Sequence, residues 1–316
     1  MRGSPFRSPL SLPAIVLSLV LPAGAAGATG PFSIAIIGKG SAEPSWQDVV
    51  RGATMAAQER GVTISCDGPE DGSADAQVAL LSSALERRPS AICIDALDSH
   101  KIVPLVQKAR AEGIPVIGFD SGVDSPLVVC TAATDNVPAA ALAATKLAAL
   151  LGSAGKVGVV LSAPDDPVAS AREKGFADEM RRRHPGIRIV GPRYAGADPA
   201  RAAEAATAML GSDPDIAGFF AGDEACAAGI LKAVKGRPES IVVVGMDSGQ
   251  AQIDAIRAGV EAGAVTQDPI RIGYKAVEAA VDALRGRRLP RRIDTGFHWY
   301  DRASIEDPAL AVLLHP

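Results

Sequence analysis

Ile114-Pro115-Val116-Ile117-Gly118-Phe119-Asp120-Ser121 returns later in the chain as Ile241-Val242-Val243-Val244-Gly245-Met246-Asp247-Ser248. Each copy is a short apolar run that stops at Gly-x-Asp-Ser. A run apolar at successive positions suits a strand covered on both faces, as in a parallel sheet. Its polar ending then falls at the carboxyl end of the strand. Similar runs flank the first copy at Phe32–Gly38, Val62–Cys66, Ala91–Asp95 and Leu127–Thr131. Around the second lie Lys156–Leu161, Ile187–Val190, Ile216–Ala221 and Ala264–Gln267. Between most of them, amphipathic Ala-rich stretches such as Trp46–Arg60, Gln77–Arg87, Val103–Glu112 and Ile270–Arg285 predict helices. Both copies are the fourth strand of a βα series, one starting near Phe32 and the other near Lys156. The alternation predicts the α/β class, and the duplication predicts two Rossmann-like, doubly wound parallel-sheet lobes.

The bulk numbers agree with two lobes. A chain of 316 residues, 47% apolar and 22% charged, has room for two cores of roughly 100–150 residues each. A net charge of −4 and a pI near 5.7 exclude a nucleic-acid partner, because no basic face is available to neutralise phosphates. Arg2, Arg7, the apolar run Leu10–Leu21 and Ala26-Gly27-Ala28 predict a signal peptide over residues 1–28, cleaved near Ala28. That run is short for the roughly 20 residues a bilayer crossing needs, and no Cys lies in it to carry a lipid anchor. The mature protein is therefore expected to be soluble outside the cytoplasm. Cys66, Cys93, Cys130 and Cys226 read as small hydrophobes rather than as a disulfide framework. No metal and no cofactor is predicted, since neither Cys-x-x-Cys nor His-x-x-x-His occurs. Gly38-Lys39-Gly40-Ser41 lacks the spacing of a phosphate loop, and no Gly-x-Gly-x-x-Gly or Gly-x-Ser-x-Gly is present, which argues against an enzyme.

The informative polar residues follow strands: Lys39, Asp95, Asp120, Asp223 and Asp247. Open α/β sheets bind ligands at that edge. A carboxylate can accept from two adjacent hydroxyls, and an Arg can donate a planar fork. Any one of these aspartates would also serve as a helix cap. Their recurrence at equivalent ends of two repeated lobes favours a site.

Gly38-Lys39-Gly40-Ser41-Ala42-Glu43-Pro44-Ser45-Trp46 resembles the ligand loop of periplasmic sugar-binding proteins of the ribose-binding type. So do Ile114–Ser121, Thr134-Asp135-Asn136, Arg172-Glu173-Lys174-Gly175-Phe176, Phe220-Ala221-Gly222-Asp223, Val243–Ser248 and Thr266-Gln267-Asp268-Pro269, in family order from Phe32 to about Thr295. The resemblance implies the type I periplasmic binding protein fold, with a three-crossing hinge near Thr134–Asp135, Gln267–Asp268 and Ile293–Asp294. The lobes would be residues 32–134 plus 268–293, and 135–267 plus 294–316. It also implies a non-enzymatic, monomeric, periplasmic component that binds a sugar or polyol between closing lobes. Its partners would be an ABC importer permease and, in a sensor role, a chemoreceptor.

Carried over by position, the implied pocket comprises Lys39, Glu43, Ser45, Trp46, Asp95, Asp120, Ser121, Arg172, Ala197, Asp223, Met246, Asp247 and Gln267. Ser45, Ala197 and Met246 stand where the family often has aromatics, which leaves Trp46 to stack on a ligand. Glu43, Asp95, Ser121 and Asp223 stand where an amide or Arg is frequent. A pocket so acidic needs a ligand rich in donors or carrying positive charge, such as a linear polyol, a furanose or an amino-sugar.

Overall fold

Ala91–Ile94 and Val116–Phe119 are buried at every position. Strands with no polar face must be sandwiched between helical layers, and the computed structural model builds both repeats that way. It describes residue 1 and residues 31–40, 45–236 and 241–314. The predicted leader and Glu43 lie outside the described residues.

In chain order the first repeat runs β1 (Ser33–Ile37), α1 (Trp46–Arg60), β2 (Thr63–Asp67), α2 (Ala74–Glu86), β3 (Ala91–Ile94), α3 (Ser99–Ala111), β4 (Val116–Phe119) and β5 (Thr131–Ala133). The second runs α4 (Asn136–Leu150), β6 (Gly155–Leu161), α5 (Pro167–Arg183), β7 (Ile187–Tyr194), α6 (Pro199–Ser212), β8 (Ile216–Ala221), α7 (Glu224–Val234), β9 (Val242–Met246), α8 (Gln250–Ala258) and β10 (Gly263–Gln267). Then come α9 (Pro269–Leu284), β11 (Arg292–Asp294), β12 (Phe297–Asp301) and the short α10 (Pro308–Ala311).

Two six-stranded sheets result, ordered β11-β5-β4-β3-β1-β2 and β12-β10-β9-β8-β6-β7. All pairings are parallel except β10 with β12. In the first sheet, α1 and α9 cover one face, and α2 and α3 the other. In the second, α4 and α5 cover one face, and α6 and α7 the other.

The chain passes from the first sheet to the second after β5, returns after β10 through α9 into β11, and leaves again for β12. Asp294 still pairs with Ala133 in the first sheet, so the last passage falls at Thr295–Gly296, slightly beyond the expected Ile293–Asp294. Asp294 also ties the passages together, its Oδ1 accepting from Asp135 N at 3.1 Å and Gly296 N at 3.0 Å.

Several expected boundaries shift for local reasons. α2 and α3 each begin earlier than their apolar periodicity, because Ser73 and Asp98 cap them by accepting from backbone N–H groups of the first turn. The Leu127–Thr131 run is a bend that becomes strand only at Thr131, with Arg291 Nη1 donating to the carbonyls of Pro126 and Val128. β11 and β12 carry too few apolar positions to be read as strands. The four cysteines are unpaired; Cys93, Cys130 and Cys226 are buried and Cys66 is half-buried.

α1 and α9 pack backbone to backbone. A Cβ at Gly52 would lie 1.7 Å from the Ile270 carbonyl oxygen, and one at Gly273 would lie 1.9 Å from that of Val49. Only glycine allows the two backbones to meet at those two points.

Candidate functional site

The carboxyl ends of β1, β3 and β4 bring Lys39, Asp95 and Asp120 together on the first lobe. Lys39 Nζ donates to Ser121 Oγ at 2.6 Å and to Asp120 Oδ2 at 3.4 Å. It lies 3.5 Å from Asp95 Oδ1, which also accepts from the Ser121 N–H at 3.2 Å. Burial pushes the Asp120 carboxyl up. Lys39 beside it, side-chain hydrogen bonding with Asp95 and Lys39, and the charge of Arg172 across the cleft outweigh burial and hold it below the usual carboxylate range. Beneath this group Gln77, fully buried, donates from Nε2 to the carbonyls of Gly38 and Asp95, both at 2.8 Å. Its Oε1 accepts from Leu97 N at 2.9 Å. One side chain on α2 thus sets the spacing of two strand ends.

The second lobe answers with a stiffer arrangement. Arg172 of α5 is 3% exposed, and its fork reaches Asp247 through Nη1 to Oδ2 at 2.8 Å and Nη2 to Oδ1 at 2.9 Å. Nη1 also donates to the Gly222 carbonyl at 2.7 Å, and Nε to Asn136 Oδ1 at 2.9 Å. Burial opposes the guanidinium charge. Asp247, with Asp223 and Asp120 farther off, overcomes it and holds the Arg172 pKa above its ordinary value. Gln267, at the end of β10, donates from Nε2 to Asp247 Oδ1 at 3.0 Å. Asp120 and Asp247 share one backbone feature, with φ of 51° and 71°. That is the left-handed region, which Asp tolerates better than most residues.

A small cleft opens at the first lobe's strand ends, lined by Lys39, Ser45, Trp46, Asp95, Phe119 and Asp120 among others, with Gln267 reaching it from β10. Convergent polar groups at the carboxyl edges of α/β sheets are where open sheets of this class take small ligands. A periplasmic binding protein domain model matches residues 34–288. The chain belongs to the periplasmic binding protein domain family. It is 27% identical over 251 residues to the ribose import binding protein of Bacillus subtilis, covering 79% of this chain and 81% of the relative. It is 30% identical over 253 residues to a D-apiose import binding protein of Actinobacillus succinogenes, covering 79% and 80%. Among solved structures it resembles an ABC transporter solute-binding protein of Agrobacterium vitis bound to α-D-tagatopyranose. The TM-score is 0.78 at 30% identity, over 90% of this chain and 99% of the other. A carbohydrate transporter solute-binding protein of Agrobacterium radiobacter in complex with D-arabinose matches with TM-score 0.75 and 27% identity, over 91% and 100%.

In this periplasmic binding protein the expected pocket residues divide into three groups. Lys39, Ser45, Trp46, Asp95, Asp120 and Gln267 line the cleft, Ser121 joins them through Lys39, and Arg172 and Asp247 form the ion pair of the second lobe. Trp46 is 6% exposed and lies over Gly38, where a Cβ would sit 2.4 Å from its ring. It is as much core as wall. Asp223 caps α7, with Oδ1 accepting from Cys226 N at 2.8 Å and Oδ2 facing Cys226 Sγ at 3.4 Å.

Met246, expected in the pocket, is instead fully buried among the residues of α4 and α5: it is the last residue of β9, on the same sheet face as Val244, and the chain leaves the strand only at Asp247. Gln77 and Tyr300 were not singled out, and Asn136 was read only as part of the Thr134-Asp135-Asn136 crossing, not as a partner of Arg172. Each acts through backbone or side-chain groups distant in sequence, and no local spacing marks them.

Proposed function

We propose that this chain is the exported, periplasmic solute-binding component of an ABC importer for a sugar or polyol, binding its ligand between two lobes without transforming it. The observation that carries the reading is the pair of carboxylates, Asp120 and Asp247, each held in a left-handed backbone at the end of an equivalent strand and each already met by a cation. Such groups accept hydrogen bonds from ligand hydroxyls while Lys39 and Arg172 keep the buried charge compensated. The names and bound sugars of the relatives support the same class of ligand. Residues 32–134 plus 268–293 and residues 135–267 plus 294–316, with the last boundary moved just beyond Asp294, would close as lobes about their crossings, the first and last of which Asp294 ties together. Delivery to a permease and a mature start near Thr29 complete the reading.

The test is a thermal-shift screen of the mature chain against D-ribose, D-apiose, D-allose, D-tagatose, D-arabinose, linear polyols and amino-sugars, followed by calorimetric titration. A ligand that binds only the folded state raises Tm in a saturable way. At least one compound should do so, with one site per chain and with binding weakened by Asp247→Asn. A flat screen across the panel, or a hit indifferent to Asp247→Asn, overturns the proposal.

A further inference from the structure

Behind the strand end that presents Asp247 lies a second polar pair, wholly buried. Gln252 of α8 is 0% exposed and Glu261, just beyond α8, is 1% exposed. Gln252 Nε2 donates to Glu261 Oε1 at 3.1 Å. The other atoms of the same two groups, Gln252 Oε1 and Glu261 Oε2, have no partner among the described residues. Both side chains press on Gly245 of β9, where a Cβ would lie 2.4 Å from Gln252 Nε2 and 2.6 Å from Glu261 Oε1. On that sheet Ala264 of β10 pairs with Gly245 on one side and with Tyr300 of β12 on the other. The Tyr300 hydroxyl donates to the Asp247 carbonyl at 2.9 Å.

Two orphan acceptors cannot satisfy each other, but one added proton satisfies both. With Glu261 protonated, its Oε2–H donates to Gln252 Oε1 while Gln252 Nε2–H donates to Glu261 Oε1, closing a ring of two hydrogen bonds. With Glu261 ionised, a buried charge would rest on a single amide hydrogen, which is costly. Among the described residues no cation is seen to offset that charge. Arg257, on α8, turns to Glu306 at 2.9 Å, and Arg302 lies next to Gly259. From β12, Tyr300 faces Glu261. Asp247 and Glu224, which also act on the Tyr300 hydroxyl, carry the same sign as Glu261.

We infer that Glu261 is a neutral carboxylic acid paired with Gln252, and that this proton-bearing pair braces Gly245 and the adjoining Asp247, so that the ligand-facing end of β9 loosens when the proton is lost. Burial agrees with the geometry: it pushes the Glu261 carboxyl from 4.5 up to about 8, against a smaller opposing effect of the Gln252 hydrogen bond. The folded value is raised. Stability from the pair is therefore full below the ordinary carboxyl value, falls as pH climbs through the window up to about 8, and stays low above it.

The variant that separates the proton from the packing is Glu261→Gln, whose amide keeps both ring bonds and does not titrate. In wild-type apo protein at pH 7, infrared spectroscopy should show a protonated-carboxyl stretch that vanishes in Glu261→Gln and that titrates away near pH 8. Hydrogen exchange of the 242–248 segment, corrected for its intrinsic pH dependence, should lose protection by about tenfold between pH 7 and 9, the equivalent of one pKa unit. Glu261→Gln should keep its protection over that range. Carboxyl-labelled wild-type protein gives the same answer if the variant does not fold, since one glutamate must then titrate near pH 8. A set of glutamates that all titrate in the ordinary acid range, or equal pH responses in wild type and Glu261→Gln, overturns the inference. The test needs no ligand, so its failure leaves the proposed function standing.

Discussion

The two lobes hold the carboxylates at their equivalent strand ends in opposite ways. Asp247 is gripped by a guanidinium 3% exposed, through two bonds, and that guanidinium is itself fixed by Asn136 and Gly222. Asp120 is met by an ammonium 25% exposed, which divides its hydrogens among Asp120, Ser121 and Asp95. A planar fork fixes geometry, whereas a point charge on a flexible stem can redistribute its bonds. On the proposed function, the second lobe would be arranged before a ligand arrives and the first would rearrange around one.

That contrast breaks most visibly at the cations. Arg172→Met leaves Asp247 without its cation, with only the Gln267 amide still donating to it, and strands Gly222 and Asn136, so it should cost about 3–5 kcal/mol of folding stability, the range for one lost partner of a buried pair. Lys39→Met, at a quarter-exposed site, should cost under about 1 kcal/mol. Urea unfolding of both variants measures the difference, and equal losses would erase the distinction between the lobes.

The carboxylates sharpen it. Asp120→Asn and Asp247→Asn should each weaken binding of the sugar found by screening by about 1.5–3 kcal/mol, roughly 10–150-fold. Only Asp247→Asn should also lower the apo Tm, because it uncovers Arg172. Calorimetric titration beside melting curves separates the two effects, and a drop in apo Tm for Asp120→Asn would mean that the first lobe is as fixed as the second.

The smallest effect is in acid. The Asp120 value is depressed below 3.8, so its contribution to stability is present above the ordinary carboxyl pKa and is lost as pH falls through the lowered one. Lys39→Met leaves burial less opposed and should move that loss to higher pH. A carboxyl titration by NMR of wild type and variant reads the shift, and an unmoved Asp120 would show that Lys39 does not govern it.

Much of this was legible in the sequence because the fold repeats itself. The Gly-x-Asp-Ser endings placed Asp120 and Asp247 at equivalent strand ends, and the structure gives both the same left-handed backbone. Strands buried on both faces announce themselves through unbroken apolar runs. Gln77 did not, because a glutamine within an amphipathic helix looks like surface until Gly38 and Asp95 are seen to converge on it. Met246 misled for a related reason: it is still strand and faces the core, while the left-handed turn that frees Asp247 begins one residue later. β12 was hidden by its mixed composition, Phe297-His298-Trp299-Tyr300-Asp301, although its Tyr300 supports the strand end on which Asp247 sits.

The contact of α1 with α9 carries a consequence for the order in which the molecule is made. Gly52 and Gly273 bring together backbones from near the two ends of the described chain, and β11 joins the first sheet beside β5. Everything in the second sheet except β12 is synthesised in between. A ribosome that has released the first five strands has therefore released an unfinished lobe, with the α1 face of its sheet still bare where α9 will lie. The part of the protein that begins first is completed only once residues 269–294 have emerged.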